Sequence, residues 1–178
     1  MVASGAHRHP GSERASPAAR DAGRGFTLIE LVITVAIVGI LASLALPLAE
    51  VTVQRSREQD LRRSLREIRE AIDAYKQAWD ENPPRIEKKL GETGYPKNLE
   101  VLVEGVADIT NPKSAKIYFL RRIPRDPFST DPALAPAATW GKRSYQSSPE
   151  DPQEGDDVYD IYTRAAGSGL NGVPYREW

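Results

Sequence analysis

The feature that most constrains this sequence is an apolar run from Phe26 to Leu46. Its 21 residues contain one charged side chain, Glu30, and three hydroxyl groups. An α-helix rises about 1.5 Å per residue, so the run would be roughly 31 Å long, about the thickness of the hydrocarbon core of a bilayer. The run therefore predicts a membrane-spanning helix over residues 26–47, with a buried core helix as the alternative.

Glu30 is the unusual residue of this run. An unpaired carboxylate is costly to bury, so an ionisable group inside a membrane segment is a candidate for function. If the chain is cut between Gly25 and Phe26, the new α-amino group of Phe26 lies about one helical turn from Glu30. The amine of one subunit could then pair with Glu30 of a neighbour and fix the register of the two helices. The alternative is that Glu30 only reaches the headgroup layer.

A family resemblance rests on these residues. The stretch Gly25-Phe26-Thr27-Leu28-Ile29-Glu30, followed by the apolar run with Gly39 and Pro47, resembles the N-terminal signature of type IV pilins and type II secretion pseudopilins. The resemblance implies a prepilin peptidase that cuts after Gly25 and methylates Phe26, and an assembly role for Glu30. Because the chain has no cysteine and many type IV pilins close a C-terminal loop with a disulfide, the resemblance favours a major pseudopilin.

The segment 1–25 is rich in alanine, glycine, serine, proline and arginine, which predicts a disordered, removable leader. Its four arginines predict that this end stays in the cytoplasm, so that the chain crosses the inner membrane once and its C-terminal domain is periplasmic. His7 and His9 lie in this leader and are poor candidates for a metal site. A conventional secretory signal cut near Ser43-Leu44-Ala45 is the competing interpretation.

A second helical segment is predicted over residues 48–82, with a kink at Gly39 and Pro47 where the first segment ends. Its apolar positions are spaced by three and four residues, as on one face of an amphipathic helix: 61, 65, 68, 72, 75 and 79. Its other faces carry charges spaced by four residues that predict solvated ion pairs: Arg63–Glu67, Arg66–Glu70 and Arg69–Asp73.

Residues 83–178 predict a small head, which gives an α+β fold with the long N-terminal helix packed on a small antiparallel sheet and irregular loops, as in pilins. The predicted elements are a short helix capped by Gly105, an apolar strip at 117–120, and strands at 142–147 and 157–163. The apolar residues that favour the short helix are Leu99, Leu102, Val103 and Val106. The terminal Tyr175 and Trp178 are expected to dock onto the head. The run 123–128, Ile-Pro-Arg-Asp-Pro-Phe, resembles the pseudopilin segment that leads into the sheet.

The resemblance also implies a calcium site in a loop after the last strand, supplied by aspartates and backbone carbonyls. The matching residues 163–172 contain no aspartate or glutamate, so no metal site is predicted there. Acidic residues between the last two strands could build another calcium site, or form a solvated loop: Glu150, Asp151, Glu154, Asp156 and Asp157.

Function follows as an expectation from these features. Neither the near-neutral net charge of −1 nor the motifs indicate nucleic-acid binding or an enzyme, and no catalytic residue or cofactor is predicted. The expected protein is a structural pseudopilus subunit whose partners are the prepilin peptidase, identical and related pseudopilins, the inner-membrane assembly platform and the membrane. A type IV pilin or minor pilin, and a membrane-anchored periplasmic binding module, are the alternatives.

Overall fold

The computed structural model describes residues 25–113 and 115–178, with the side chains of residues 44–48 left out. The predicted leader lies outside this range, apart from Gly25. The first helix, α1, runs from Leu28 to Asp80. The chain divides into two compact units, Met1–Leu44 and Ala45–Trp178, which are considered in turn. The division into leader, membrane helix, helix continuation and head stays a prediction.

In the first unit, residues 25–27 precede the helix and every described side chain from residue 25 to residue 43 is exposed. The exposed side chains include the large apolar groups of Phe26 and Leu28, which are 80% and 81% exposed. Among the residues that the structure describes, no helix combines the length and the apolar character needed to span a membrane.

In the second unit, the apolar stripe of α1 forms the core, as its spacing predicts. All six positions of the stripe are at most 9% exposed: Leu61, Leu65, Ile68, Ile72, Tyr75 and Trp79. Complete burial of one such aliphatic side chain contributes roughly 1.5–3 kcal/mol, so this face holds the head on the helix. The helix ends at Asp80, two residues before the predicted end at Asn82, where Pro83 and Pro84 cannot continue it.

A short helix and the first pair of strands follow. Helix α2 spans Glu100–Glu104, and Gly105 ends it at φ +73°, donating its N–H to the Val101 carbonyl at 3.0 Å. A side chain at this position would also strike the carbonyl oxygen of Ile117, so the predicted glycine cap is confirmed. Strand β1, Val106–Ala107, pairs antiparallel with β2, Lys116–Ile117.

The prediction of a buried apolar strip over 117–120 is wrong at Tyr118, while Ile117 and Phe119 are half-buried and Phe119 packs against the core. Leu120 is buried, whereas Tyr118 is 64% exposed. The reason lies in the backbone, because the N–H groups of Phe119 and Leu120 both donate to the Leu102 carbonyl at 3.0 Å. These bonds tie the segment to α2 instead of extending β2.

The second sheet follows the first in the sequence, after a proline-rich loop. Strand β3, Trp140–Arg143, pairs antiparallel with β4, Asp160–Thr163, with Trp140 opposite Thr163. The predicted strands at 142–147 and 157–163 overlap these but differ in their bounds. Strand β3 ends early because Ser144 donates its N–H to Gln153, inside the connecting loop. The two sheets are separate two-stranded units rather than one small sheet, and the α+β class is confirmed.

The proline-rich segment that precedes β3 is organised by Asp126, which is 2% exposed. Its carboxylate accepts a hydrogen bond from the N–H of Phe128 at 2.8 Å and another from the hydroxyl of Thr163 on β4. Its own N–H donates to Thr139, which is 3% exposed and lies in the 3₁₀ helix Pro136–Thr139. The aspartate of the 123–128 run therefore fastens this segment to the sheet, which gives that pattern a structural reason.

Candidate processing and assembly site

The predicted cleavage junction lies in an accessible stretch of chain. Gly25 and Phe26 precede α1, are not part of a helix or strand, and are both exposed. A peptidase must draw the scissile bond into its own site, which requires backbone free of helical hydrogen bonds. The geometry of the junction thus suits cleavage, while cleavage after Gly25 and methylation of Phe26 stay predictions.

Thr27 caps the helix that begins at this junction. Its carbonyl accepts the first intrahelical bond, from the N–H of Leu31 at 3.1 Å, and its hydroxyl accepts the N–H of Glu30 at 3.3 Å. Thr27 and Glu30 have the Thr-x-x-Glu spacing of a capping box, a signal that the sequence interpretation missed. A carboxylate in the first turn also interacts favourably with the helix dipole. Glu30 therefore has a local role in starting α1, besides any role between subunits.

The polar groups deeper in the apolar segment are satisfied within the helix. The Thr34 hydroxyl donates to the Leu31 carbonyl at 2.9 Å, and the Ser43 hydroxyl donates to the Ile40 carbonyl at 2.7 Å. Such back-bonding lets hydroxyl groups lie in an apolar environment without an orphan donor. Apart from Glu30, the described side chains of residues 28–43 are thus free of strongly solvated groups.

Two further predicted site residues lie in the same helix. Gly39 is helical and exposed, with open space around its α-carbon. The side chain of Pro47 lies outside the described residues, so the kink at Gly39 and Pro47 stays a prediction. The charge pair between Phe26 and Glu30 of neighbouring subunits likewise stays a prediction, because it joins two chains.

The acidic residues considered for calcium do not converge. Asp157 is buried and bonded to the Thr93 hydroxyl and the N–H of Tyr145, whereas Glu154 pairs with Arg164 at 3.1 Å. Glu150 accepts a hydrogen bond from the Ser148 hydroxyl at 2.7 Å, and this bond lowers the pKa of its carboxyl. Within residues 25–113 and 115–178, no three aspartate, glutamate, histidine or cysteine side chains lie together as metal ligands would.

The fold and the N-terminus place this chain in the class of proteins that carry a prokaryotic N-terminal methylation motif. Residues 21–46 match the family model of the prokaryotic N-terminal methylation motif. This match covers the cleavage junction, Phe26 and Glu30, and in this chain the motif begins a helix that leads into an α+β head.

Curated relatives identify the particular family. The type II secretion system core protein G of Escherichia coli K12 is 30% identical over 149 residues, which are 79% of this chain and 92% of that protein. The core protein G of Klebsiella michiganensis is 28% identical over 142 residues, 78% of this chain and 91% of that protein. That of Dickeya chrysanthemi is 27% identical over 157 residues, 84% and 94% of the two chains. The chain belongs to the family of type II secretion system core protein G. No solved structure matches it significantly.

Proposed function

We propose that this chain is the structural subunit of a type II secretion pseudopilus, a short filament whose assembly drives protein export. The observation that carries the proposal is the methylation motif at residues 21–46, in a chain similar to core protein G over most of its length. The exposed apolar face of residues 26–43 supports it, because large exposed apolar surfaces mark sites of contact with membranes or other proteins. The role is structural and involves no catalysis by this chain.

The path to the filament begins in the inner membrane. The chain inserts once, with the arginine-rich leader in the cytoplasm and the head in the periplasm. The prepilin peptidase cuts between Gly25 and Phe26 and methylates the new amine. The assembly platform then moves the subunit from the bilayer into a helical filament of identical and related pseudopilins, where the apolar face of α1 exchanges lipid contacts for contacts with other helices.

An ion pair sets the stagger between the helices of neighbouring subunits in this filament. The α-amine of Phe26 and the carboxylate of Glu30 are the two charges of the apolar segment after cleavage. In a low-dielectric filament core, a misaligned subunit would leave both charges unpaired, which is strongly unfavourable. Pairing of Phe26 in one subunit with Glu30 in the next therefore selects one stagger between neighbouring helices.

Overproduction in a bacterium that carries the matching secretion genes tests the proposal. Sheared-cell and membrane fractions would be examined by electron microscopy and probed with antibodies against the head. The account expects filaments containing this chain when peptidase and platform are present, and only membrane-bound precursor when the peptidase gene is deleted. A processed protein that remains dispersed in the membrane, without filaments and without an effect on export, would overturn it.

A further inference from the structure

The C-terminal loop, residues 164–174, follows β4 and is closed by its own backbone. The N–H of Gly169 donates to the Val173 carbonyl at 2.9 Å, and the N–H of Gly172 donates to the Gly169 carbonyl at 2.8 Å. At the exit, the N–H of Tyr175 donates to the Gly167 carbonyl at 3.1 Å. Three of the carbonyl groups in this loop thus accept hydrogen bonds from backbone N–H groups of the loop itself or of Tyr175, which directly follows it.

These residues do not fit the calcium ion that the pseudopilin resemblance implies. Calcium takes six to eight oxygen ligands, usually with several carboxylates. Residues 164–176 contain no carboxylate, and the side-chain oxygen of Asn171 already accepts the N–H of Val173 at 3.1 Å. The loop itself offers a bound ion no negative charge, and three of its carbonyl oxygens already accept hydrogen bonds.

A carboxylate from α1 enters this loop instead. Glu58 is 8% exposed, and its Oε1 atom accepts a hydrogen bond from the N–H of Leu170 at 2.8 Å. The same atom accepts the hydroxyl of Tyr175 at 3.0 Å and the side-chain amide of Gln54 at 3.1 Å. Gln54 also donates to the Tyr175 hydroxyl at 3.0 Å, which completes a small network.

The arrangement of charged and polar groups around Glu58 is opposite to that of a metal site. A calcium ion gathers oxygen acceptors around a cation, whereas Glu58 gathers hydrogen-bond donors around an anion. Hydrogen bonds to an ionised acceptor are about twice as strong as neutral ones, and a buried carboxylate needs such donors to remain charged. Burial raises the pKa of Tyr175, so its hydroxyl keeps the proton that it donates.

We infer that Glu58 takes the place of calcium in this chain. It pins the C-terminal loop to α1, so that the loop closes in the absence of divalent cations. The consequence for the cell is that folding of the head does not depend on the calcium concentration of the periplasm. The inference concerns the head alone and holds whether or not the chain assembles into a filament.

Hydrogen–deuterium exchange and thermal unfolding of the full-length protein in detergent micelles test this inference. In the parent protein, the exchange rate at Leu170 and the melting temperature should be the same in excess calcium chloride and in EDTA. In Glu58→Ala, the Leu170 amide should exchange at least about tenfold faster, because it loses a bond to a charged acceptor. Glu70→Ala, an exposed glutamate of the same helix, is the matched control and should leave this rate unchanged.

Glu58→Gln keeps an acceptor oxygen at the same place and covers the case in which the alanine variant does not fold. It should accelerate exchange at Leu170 less than the alanine substitution does. The donors keep an acceptor oxygen, but this acceptor is no longer charged. Calcium that raises the melting temperature of the parent or slows exchange at Leu170 would overturn the inference. Parent-like exchange at Leu170 in Glu58→Ala would do so as well. Neither result would bear on filament formation, which these measurements do not involve.

Discussion

The guanidinium group of Arg69 on α1 binds the carboxylate of Asp160 on β4, with 2.8 Å between Nε and Oδ1. A second nitrogen of Arg69 donates to two backbone oxygens, those of Ile161 at 3.1 Å and Trp178 at 2.8 Å. One side chain thus joins the helix, the sheet and the end of the chain. The predicted pair of Arg69 with Asp73 on the same helix is wrong, because these tertiary acceptors bind the guanidinium instead.

Replacement of Arg69 by alanine should destabilise the head by about 1–2 kcal/mol. Bonds to charged groups contribute about 1.5–3 kcal/mol, and the partial exposure of this pair reduces that figure. Arg66→Ala, at an exposed position one turn earlier, is the control and should have an effect of less than about 0.5 kcal/mol. Denaturant unfolding of the full-length protein in micelles gives both values. Equal effects of the two substitutions would contradict the proposed link.

Asp108 should make the stability of the head depend on pH in the acid range. Hydrogen bonds from Thr110 and then from Arg85 lower the pKa of its carboxyl from 3.8 to about 2. A lowered folded-state pKa stabilises the protein above the ordinary value of 3.8, and this stabilisation is lost as the pH falls towards 2. The free energy of unfolding, measured from pH 6 to pH 2, should therefore decrease below about pH 4, in part because Asp108 becomes protonated.

The matched variant for this prediction is Asp108→Asn, which cannot titrate. It should be less stable than the parent at pH 6, and the difference should shrink as the pH falls below about 4. A difference between the two proteins that stays constant from pH 6 to pH 2 would show that the carboxylate charge of Asp108 contributes nothing.

Asp126 is expected to be among the least replaceable polar residues of the head. Alanine there would leave the N–H of Phe128 and the hydroxyl of Thr163 without their acceptor in a buried site. Each buried group left unsatisfied costs about 1–3 kcal/mol, so Asp126→Ala should destabilise the head by at least about 2 kcal/mol. Asp156→Ala, in the exposed acidic loop, serves as the control. A loss below about 0.5 kcal/mol for Asp126→Ala would refute its organising role.

The parts of the fold that sequence predicts well are those set by local pattern. The stripe from Leu61 to Trp79 follows from its spacing, and the end of α2 follows from Gly105, since few other residues adopt a positive φ. Docking of Tyr175 and Trp178 is also confirmed, with Tyr175 only 5% exposed and the Arg62 guanidinium 4.0 Å from the indole of Trp178.

The parts that sequence could not predict depend on partners far along the chain. Glu58 and Arg69 resemble many other charged residues of α1, and their acceptors or donors lie 112 and 91 residues away. No local pattern distinguishes them from solvated charges. The strand bounds were missed for a similar reason, because a bond from Ser144 to Gln153 decides where β3 ends. At the candidate site, the capping role of Thr27 was readable from its spacing to Glu30. The pairing of Phe26 with Glu30 of a neighbouring subunit stays a prediction, because it joins two chains.

Processing at the Gly25–Phe26 junction gives a direct chemical prediction. Mass spectrometry of the protein from membranes should find an N-terminal Phe26 that carries a methyl group. Gly25→Leu should leave an uncut precursor, because a bulky side chain precedes the scissile bond. An N-terminus at Leu46, after Ser43-Leu44-Ala45, would instead establish a conventional secretory signal.

Glu30→Leu separates a structural subunit from a membrane anchor. If α1 were only an anchor, removal of the charge would favour insertion and leave function intact. If Glu30 pairs with the Phe26 amine of a neighbour, the variant leaves that amine unpaired, which costs about 3–5 kcal/mol. Such a loss shifts an assembly equilibrium by about two to three orders of magnitude. The variant should therefore be cut and inserted normally, yet form no filaments, and Glu30→Gln should show a milder defect.

The most direct test of the assembly mechanism is zero-length cross-linking between subunits with a membrane-permeable carbodiimide, which joins an amine and a carboxylate that are in contact. In filament-producing cells, the account predicts dimers and larger species in which mass spectrometry locates an amide bond between the α-amine of Phe26 and the side chain of Glu30. Glu50→Gln should keep this product and Glu30→Leu should abolish it together with the filaments. Filaments of Glu30→Leu as abundant as those of the parent would contradict the account.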